Sequence, residues 1–136
     1  MVQRAQLMIT EMSDKAFGYE LLLDCYGCKP GICDDLTYCY DFLDKIVSFI
    51  GMEKQGEPSI FRTDAKRFIG KDGLSGWVPL AESSIVIHTM SLKNYISLDV
   101  YSCKRFDLEK VKEFVMTHFA PKKLEAQFIM RGKNYF

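Results

Sequence analysis

A pair of strand-like segments around a four-residue turn constrains the fold of this chain more than any other part of its sequence. Residues 84–90, SIVIHTM, are rich in β-branched side chains, and residues 95–103, YISLDVYSC, alternate apolar with polar side chains. Both patterns are typical of strands. The residues between them, SLKN at 91–94, predict the turn of a β-hairpin. Strands joined by so short a connection pair antiparallel, so the sheet is built around this pair.

The hairpin also predicts which residues face each other at its open end. A symmetric register about the turn places Cys103 opposite Glu82 and beside Ser83. Directly opposed Cβ atoms of an antiparallel pair are about 5 Å apart. A thiol, a serine hydroxyl and a glutamyl carbonyl are therefore expected to meet in one place.

The remaining patterns predict two helices and further strands. Apolar side chains repeat at helical spacing over 34–51 and 106–119, with Asp34 as the N-cap of the first helix and Gly51 at its end. The residues expected on the buried stripes are Leu36, Leu43, Ile46, Val47 and Ile50, then Leu108, Val111, Phe114 and Val115. Other strands are predicted at 17–26, 56–63 and 123–132 and on both sides of 79–83, with a loop at 64–73. This order indicates an α+β fold in two layers, an antiparallel β-sheet with helices on one face.

Length and charge limit the kind of partner. The 136 residues suit a single domain, 1–136. Eighteen basic and eighteen acidic residues leave no net charge, which argues against nucleic acid as a partner. No apolar run approaches the roughly 18–20 residues of a membrane span, and residues 1–15 lack the apolar region of a signal peptide. We therefore predict a cytoplasmic protein without a membrane partner.

Five cysteines allow three interpretations. They are Cys25, Cys28, Cys33, Cys39 and Cys103. Structural zinc sites usually come as two close ligand pairs separated by a longer span, a spacing that is not met here. An odd number of cysteines in a cytoplasmic chain also argues against a disulfide framework. We predict free thiols and no metal, with a metal site, or a redox pair at Cys25 and Cys28, as the alternatives.

The polar interruption Glu82-Ser83-Ser84 and the nearby His88 suggest chemistry. A hydrolytic triad with Ser83 and His88 is one interpretation, but the Gly-x-Ser-x-Gly elbow is missing. Cys103 could instead form a thiol–imidazole pair with His88 or with His118. A lone histidine in a strand is more often a hydrogen-bonded structural residue.

Self-cleavage fits these residues better. A serine hydroxyl held against the preceding carbonyl can attack it, which moves the acyl group from nitrogen to oxygen. The ester then loses the acyl group by β-elimination, and the dehydroalanine that remains hydrolyses to a pyruvoyl group. This route needs a strained turn, a base for the α-proton and polar groups at the carbonyl. The pattern ESS…H supplies such groups.

The motif GLSGWVPLAESSIVIHT, followed by LDVYSC, resembles the prokaryotic S-adenosylmethionine decarboxylase family. YELLLDCYGC, the RF before the glycine-rich loop and the terminal MRG also match, so the resemblance extends over most of the chain. It implies cleavage between Glu82 and Ser83 into a β-chain of residues 1–82 and an α-chain of residues 83–136. It also implies a homodimer of processed protomers, with the sheets inside and the helices outside as a four-layer α/β/β/α sandwich.

The resemblance further implies roles for single residues. Ser75 orients the scissile carbonyl, His88 removes the α-proton, and Cys103 is the general acid that reprotonates the substrate. Phe68 matches the ring that stacks on the adenine of S-adenosylmethionine. The pyruvoyl group made from Ser83 forms a Schiff base and acts as the electron sink, in place of pyridoxal phosphate.

One geometric conflict is visible in the sequence. Ser83 and His88 are five residues apart, so in a straight strand their side chains point to opposite faces. Their convergence on one site requires a bulge or bend between them, or a histidine that reaches over from a twisted edge strand.

The substrate-binding part departs from the family pattern. Leu92 stands where the family has the glutamate that holds the ribose hydroxyls, and leucine cannot accept those hydrogen bonds. The predicted substrate is therefore a basic amino acid, L-ornithine or L-arginine, with Glu20, Asp24 or Asp64 as the acid for its distal cation. The alternative is an S-adenosylmethionine decarboxylase of polyamine biosynthesis. A further alternative is a catalytically dead homologue that activates a related enzyme.

Overall fold

The computed structural model describes residues 16–136, and the prediction that concerns residues 1–15 lies outside them. Within that range the chain forms six strands and two helices. The strands are β1 (Gly18–Tyr26), β2 (Ser59–Arg62), β3 (Leu74–Leu80), β4 (Ser83–Met90), β5 (Tyr95–Ser102) and β6 (Lys123–Arg131). The helices are α1 (Leu36–Phe49) and α2 (Leu108–Phe119), and short 3-10 turns lie at Ile32–Asp34 and Ser91–Lys93.

All six strands form one antiparallel sheet in the order β2-β3-β4-β5-β1-β6. The predicted α+β class with an antiparallel sheet is therefore confirmed. β2 begins later than predicted, directly after Pro58, because proline has no N–H to donate to a neighbouring strand.

One face of the sheet is covered by the two helices and contains the core. The strands contribute alternate apolar side chains to it, because successive residues of a strand point to opposite faces. The fully buried residues include Leu21, Leu23, Val78, Ile85, Ile87, Ile96, Leu98 and Val100 from strands and Leu43, Ile46, Val111 and Val115 from helices. Burial of each such side chain contributes about 1.5–3 kcal/mol to folding. The other face, here called the open face, has no helix over it among the described residues.

Both helices form where the apolar periodicity places them, but the first begins one residue later than predicted. The Asp34 prediction is wrong: Asp34 lies in the 3-10 turn, and Asp35 is the N-cap, whose side chain accepts a hydrogen bond from the N–H of Tyr38. Both aspartates precede the apolar stripe, so the pattern alone could not separate them. Asp107 caps α2 in the same way, by accepting from the N–H groups of Glu109 and Lys110.

The hairpin between β4 and β5 has the predicted register. Its pairs run from Met90 opposite Tyr95 to Ser84 opposite Tyr101. Asn94 closes the 3-10 turn with a φ of 50°, a left-handed conformation that asparagine tolerates well. Ser83 and Cys103 lie just outside the last pair of this ladder, Ser84 opposite Tyr101.

Candidate active site

Glu82 lies in the two-residue connection between β3 and β4, where Leu80 pairs with Ser83. Its φ is 62°, which is left-handed. Short hairpin loops need such positive φ values, and glycine, asparagine or aspartate usually supplies them. For another L-residue this conformation costs roughly 1–2 kcal/mol, because Cβ approaches the following carbonyl oxygen. The backbone strain therefore lies at the residue immediately before Ser83.

Ser83 and Cys103 meet at the end of the hairpin. The backbone N–H of Cys103 donates to the Ser83 Oγ at 3.1 Å, and the Ser83 Oγ and Cys103 Sγ atoms are 4.0 Å apart. The Cys103 thiol donates to the Glu82 Oε2 atom at 3.4 Å. The three residues meet as expected, but Glu82 makes its contact with Cys103 through its side-chain carboxylate rather than its carbonyl; we call Glu82, Ser83 and Cys103 the cleavage cluster.

A second polar pair lies at the opposite end of the same strands. Ser75 faces His88 across the β3–β4 ladder, and the Ser75 Oγ is 2.9 Å from the His88 Nδ1. Both side chains project from the open face, since their neighbours Leu74, Ile87 and Thr89 point into the core. We call Ser75 and His88 the imidazole pair.

The two groups are separated along β4. At about 3.3 Å per residue, the five-residue step from Ser83 to His88 spans roughly 17 Å. The β4–β5 ladder runs without a bulge from Ser84 to Met90, and β4 lies between β3 and β5 rather than at an edge. Neither of the conditions named for convergence of Ser83 and His88, a bend in the strand or a twisted edge, is met within one chain. One chain holds two separate halves of the predicted site.

The alternative of a thiol–imidazole pair, Cys103 with His88 or with His118, is not formed within one chain. Cys103 lies six residues along β5 from Ser97, the residue that pairs with His88, which is roughly 20 Å. His118 belongs to α2 on the other side of the sheet, where its Nδ1 is 2.8 Å from the carbonyl oxygen of Phe114. That contact gives His118 a structural role.

Phe68 and Leu92 lie at the end of the sheet that carries the imidazole pair. Phe68 is half-exposed in the loop before β3, with the Arg67 guanidinium 5.2 Å from the centre of its ring. Leu92 is 67% exposed in the 3-10 turn after β4. Ser91 joins the turn to the loop, because its N–H and its hydroxyl both donate to the carbonyl oxygen of Asp72.

The acids proposed from the sequence occupy different surroundings. Glu20 accepts from Arg131 at 2.8 Å and Asp24 from the Tyr95 hydroxyl at 2.5 Å, both on β1. Asp64 is exposed in a loop, where it accepts from the N–H of Lys66. None of the three is thereby selected as a substrate-binding acid.

An acid that sequence reasoning missed lies at the middle of the open face. Asp99 pairs with Val86 of β4 and with Leu22 of β1. Burial raises the pKa of Asp99, the negative charges of Glu20 and Asp24 raise it further, and His88 lowers it. The alternation of β5 could have indicated this position, since Asp99 is the only carboxylate on that strand.

The four cysteines outside the cleavage cluster are buried free thiols. Burial raises the pKa of Cys25 and of Cys39 to about 12. Cys28 shares a hydrogen bond with Cys33, which raises the pKa of Cys28 and lowers that of Cys33. The Cys28 thiol also donates to the carbonyl oxygen of Cys25 at 3.7 Å. Among residues 16–136, no group of three or more potential ligands could hold a metal ion.

Cys103 should therefore be the first cysteine that reacts in the folded protein. It is half-buried, whereas Cys25, Cys28, Cys33 and Cys39 are at most 2% exposed. Iodoacetamide under native conditions is expected to add one label, at Cys103, because buried thiols are inert until they are exposed. Peptide mapping by mass spectrometry locates the label, and a Cys103→Ser chain should take up none at the same time point. Equal labelling of Cys33 would contradict the burial that the fold assigns to it.

A cleft adjoins the cleavage cluster. Its volume is about 590 Å³, and Glu82, Cys103, Tyr19 and Tyr135 are among its lining residues. This size is within the range of small-molecule sites. A small substrate in the cleft would lie against the Cys103 thiol.

No described helix is long and apolar enough to cross a membrane.

Comparisons with known proteins agree on one family. A family model described as S-adenosylmethionine decarboxylase matches residues 19–132. A Clostridium botulinum (strain Langeland) S-adenosylmethionine decarboxylase proenzyme is 30% identical over 122 residues, which cover 88% of this chain and 97% of that protein. The S-adenosylmethionine decarboxylase proenzyme of Pyrococcus abyssi is 31% identical over 117 residues, which cover 85% of this chain and 78% of that protein. A crystal structure of the adenosylmethionine decarboxylase from Aquifex aeolicus shares the fold, with a TM-score of 0.73 and 24% sequence identity. The match covers 86% of this chain and 92% of that one.

Proposed function

Because this chain belongs to the S-adenosylmethionine decarboxylase family, we propose that it is a proenzyme that cuts itself between Glu82 and Ser83. The family consists of pyruvoyl-dependent decarboxylases, which generate the pyruvoyl group by self-cleavage at a serine. The family and the enzyme class predicted from the motifs are thereby confirmed. The assignment of Ser83, the roles of the other site residues and the division into residues 1–82 and 83–136 are proposals.

One observation supports the cleavage site most directly: the strained Glu82 precedes a serine whose hydroxyl is held in place. The N–H of Cys103 donates to the Ser83 Oγ, which leaves the oxygen a lone pair for attack on the Glu82 carbonyl carbon. Attack forms a C–O bond and breaks the peptide C–N bond, which yields an ester and a free amine. The change also releases Glu82 from a backbone conformation that costs free energy.

The second stage of cleavage needs a base. Removal of the α-proton of residue 83 expels the Glu82 carboxylate and leaves dehydroalanine. Water then replaces the nitrogen, ammonia leaves, and the new amino terminus carries a pyruvoyl group. An imidazole is the side chain most often used as a base in such a step, and the contact of His88 with Ser75 orients the ring. In one chain, however, this base is too far from Ser83.

A second copy of the chain resolves the separation. If two copies pack their open faces together about a two-fold axis with strands running in opposite senses, the Glu82–Ser83 peptide bond of each lies at the same end of the dimer as the imidazole pair of the other. The reacting α-proton of residue 83 belongs to the backbone, so it does not have to lie on the face to which the Ser83 side chain points. The open face offers half-exposed apolar residues for this contact, among them Leu22, Val86 and Trp77. We therefore propose a homodimer with the four-layer α/β/β/α arrangement and two composite sites.

After cleavage, the residues around Ser83 fit a decarboxylase. The pyruvoyl carbonyl supplies the electron sink that loss of carbon dioxide requires. The Cys103 thiol lines the cleft and lies 4.0 Å from the Ser83 Oγ, a position from which it can deliver a proton to the α-carbon of a substrate bound at residue 83. No metal or pyridoxal phosphate is needed for these steps.

A cytoplasmic location stays a prediction.

For the substrate, the comparisons favour the alternative over the main sequence prediction. The relatives quoted above are named as S-adenosylmethionine decarboxylase proenzymes, and we propose S-adenosylmethionine as the substrate. A basic amino acid is the second candidate, because Leu92 offers no acceptor for ribose hydroxyls at its exposed position. The dead-homologue alternative is disfavoured, since Ser75, Ser83, His88 and Cys103 are all present.

The test is to incubate cleaved protein separately with S-adenosylmethionine, L-ornithine, L-arginine and L-lysine and to measure carbon dioxide and amine product. Release from S-adenosylmethionine alone supports the first candidate, and release from ornithine or arginine alone supports the second. A Cys103→Ala chain should still cut itself but lose about 10²- to 10⁴-fold in decarboxylation, the usual contribution of a positioned acid. Cleaved protein that is inactive on all four compounds would contradict the assignment of both substrates.

A further inference from the structure

The side chain next to His88 joins three parts of the fold by hydrogen bonds. Thr89 is 2% exposed, and its Oγ1 accepts from the N–H of Leu74 at 2.9 Å. The same hydroxyl donates to the carbonyl oxygen of Cys33 at 2.5 Å. Thr89 therefore connects β4 to the start of β3 and to the 3-10 turn at Ile32–Asp34.

These bonds lie where the regular pairing of β3 with β4 stops. Ser75 opposite His88 is the last pair of that ladder, and the next backbone bond between the two segments is the one from the Ser91 N–H to the Asp72 carbonyl oxygen. Leu74 directly precedes Ser75, and Thr89 directly follows His88. The bond from Leu74 to Thr89 thus closes the end of the ladder beside the imidazole pair.

The chain before β3 is packed tightly against the same threonine. A Cβ atom on Gly73 would lie 1.9 Å from the Thr89 carbonyl oxygen and 3.2 Å from its Oγ1. Only glycine permits this approach, and φ at Gly73 is 154°. With the Cys33 contact on its other side, the Thr89 hydroxyl is fixed in one orientation.

We propose that Thr89 is a positioning residue for self-cleavage, because its hydroxyl holds Ser75 and His88 at the geometry that the reaction at Ser83 needs. The inference rests on the proposed function and adds a residue to it. Thr89 points into the core and does not touch the reacting atoms itself. Without the hydroxyl, the N–H of Leu74 and the carbonyl of Cys33 lose their shared partner in a buried place, and both strands can shift.

Two substitutions separate the hydroxyl from the packing of the side chain. Thr89→Val keeps the shape and removes the hydrogen bonds, whereas Thr89→Ser keeps the hydroxyl and removes a methyl group. Displacement of reacting groups by about 1 Å costs on the order of 10²-fold in rate, so cleavage of Thr89→Val should be slower by about 10- to 100-fold. Thr89→Ser should retain most of the wild-type rate.

A matched control removes a hydroxyl bond elsewhere. The Tyr38 hydroxyl donates to the carbonyl oxygen of His118 at 2.6 Å in the helical layer. Tyr38→Phe should lower the melting temperature without slowing cleavage, which shows that a lost side-chain bond does not by itself affect the reaction. Cleavage is followed on denaturing gels, and circular dichroism shows whether each variant is folded.

Hydroxylamine provides a readout that a purely structural role would not change. It cuts the ester formed at Ser83 and leaves residues 83–136 with an amino-terminal serine rather than a pyruvoyl group. If Thr89→Val slows proton removal by His88, the ester accumulates, and mass spectrometry after hydroxylamine treatment should find the serine-terminated fragment in excess over wild type.

The outcomes separate this inference from the proposed function. Slow cleavage in Thr89→Val with a normal rate in Thr89→Ser supports it. Wild-type cleavage in a folded Thr89→Val chain overturns the inference and leaves the proposed function intact. A Thr89→Ser chain that is strongly impaired overturns it as well, even if Thr89→Val does not fold. A wild-type chain that never cuts overturns the proposed function and this inference together.

Discussion

A chain with Ser83→Ala should stay in one piece, whereas the wild-type chain separates on a denaturing gel into fragments that end at Glu82 and begin at residue 83. Alanine has no Oγ to attack the Glu82 carbonyl, so the acyl shift has no first step. Uncatalysed breakage of a peptide bond is negligible on this time scale, which makes the expected effect all or none. Intact mass should also show the pyruvoyl group on the wild-type fragment.

Ser84 provides the matched control for this experiment. It is the neighbouring serine on β4, but it pairs with Tyr101 and points to the open face, whereas Ser83 receives the hydrogen bond from Cys103. Ser84→Ala should therefore still be cut at residue 83. If Ser83→Ala were cut, or if the wild-type chain stayed whole under all conditions, the proposed cleavage site would be wrong.

Two inactive variants should restore cleavage when they are expressed together. Ser83→Ala and His88→Ala chains are each expected to remain whole as homodimers. In a mixed dimer, the His88→Ala chain contributes an intact Ser83 and the Ser83→Ala chain an intact imidazole pair, so one composite site is complete. Random pairing places about half of the His88→Ala chains in mixed dimers, and these should be cut. Distinct affinity tags identify on a gel which chain was cleaved.

Variants from the same half of the site should not complement each other. In a mixed dimer of Ser75→Ala and His88→Ala, every composite site lacks either the serine or the histidine of its imidazole pair. That mixture should stay uncut, although its chains also pair. The first mixture, Ser83→Ala with His88→Ala, must also be shown to contain mixed dimers. If it contains them and is still not cut, the proposal that each site is built from two chains is wrong.

Much of the fold follows from local patterns in the sequence. The short symmetric turn at 91–94 determines which residues of β4 and β5 face each other, and that register places Cys103 beside Ser83. The helical stripe of α2 is buried as predicted, since a period of 3.6 residues admits only one apolar face. Where two signals competed, as for the adjacent aspartates at 34 and 35, the sequence could not choose between them.

Contacts between distant segments were not visible in this way. Cys28 and Cys33 are neighbours because the chain folds back around the 3-10 turn, and no spacing rule separates that pair from Cys25 and Cys28. Thr89 was noticed only as part of a motif, because its two partners, Leu74 and Cys33, are 15 and 56 residues away. Asp99 likewise became evident as a partly buried acid only when the charges around it were in place.

The sequence by itself determined which residues are proposed to react, their spacing along the chain and the faces to which Ser83 and His88 point. Only the tertiary structure decided whether these two residues meet within one chain. β4 is paired on both sides, with β3 and with β5, and these two ladders keep it extended from Ser83 to His88. A strand held on both sides cannot bend to bring together residues that its own pleat directs to opposite faces, and their separation follows from that constraint.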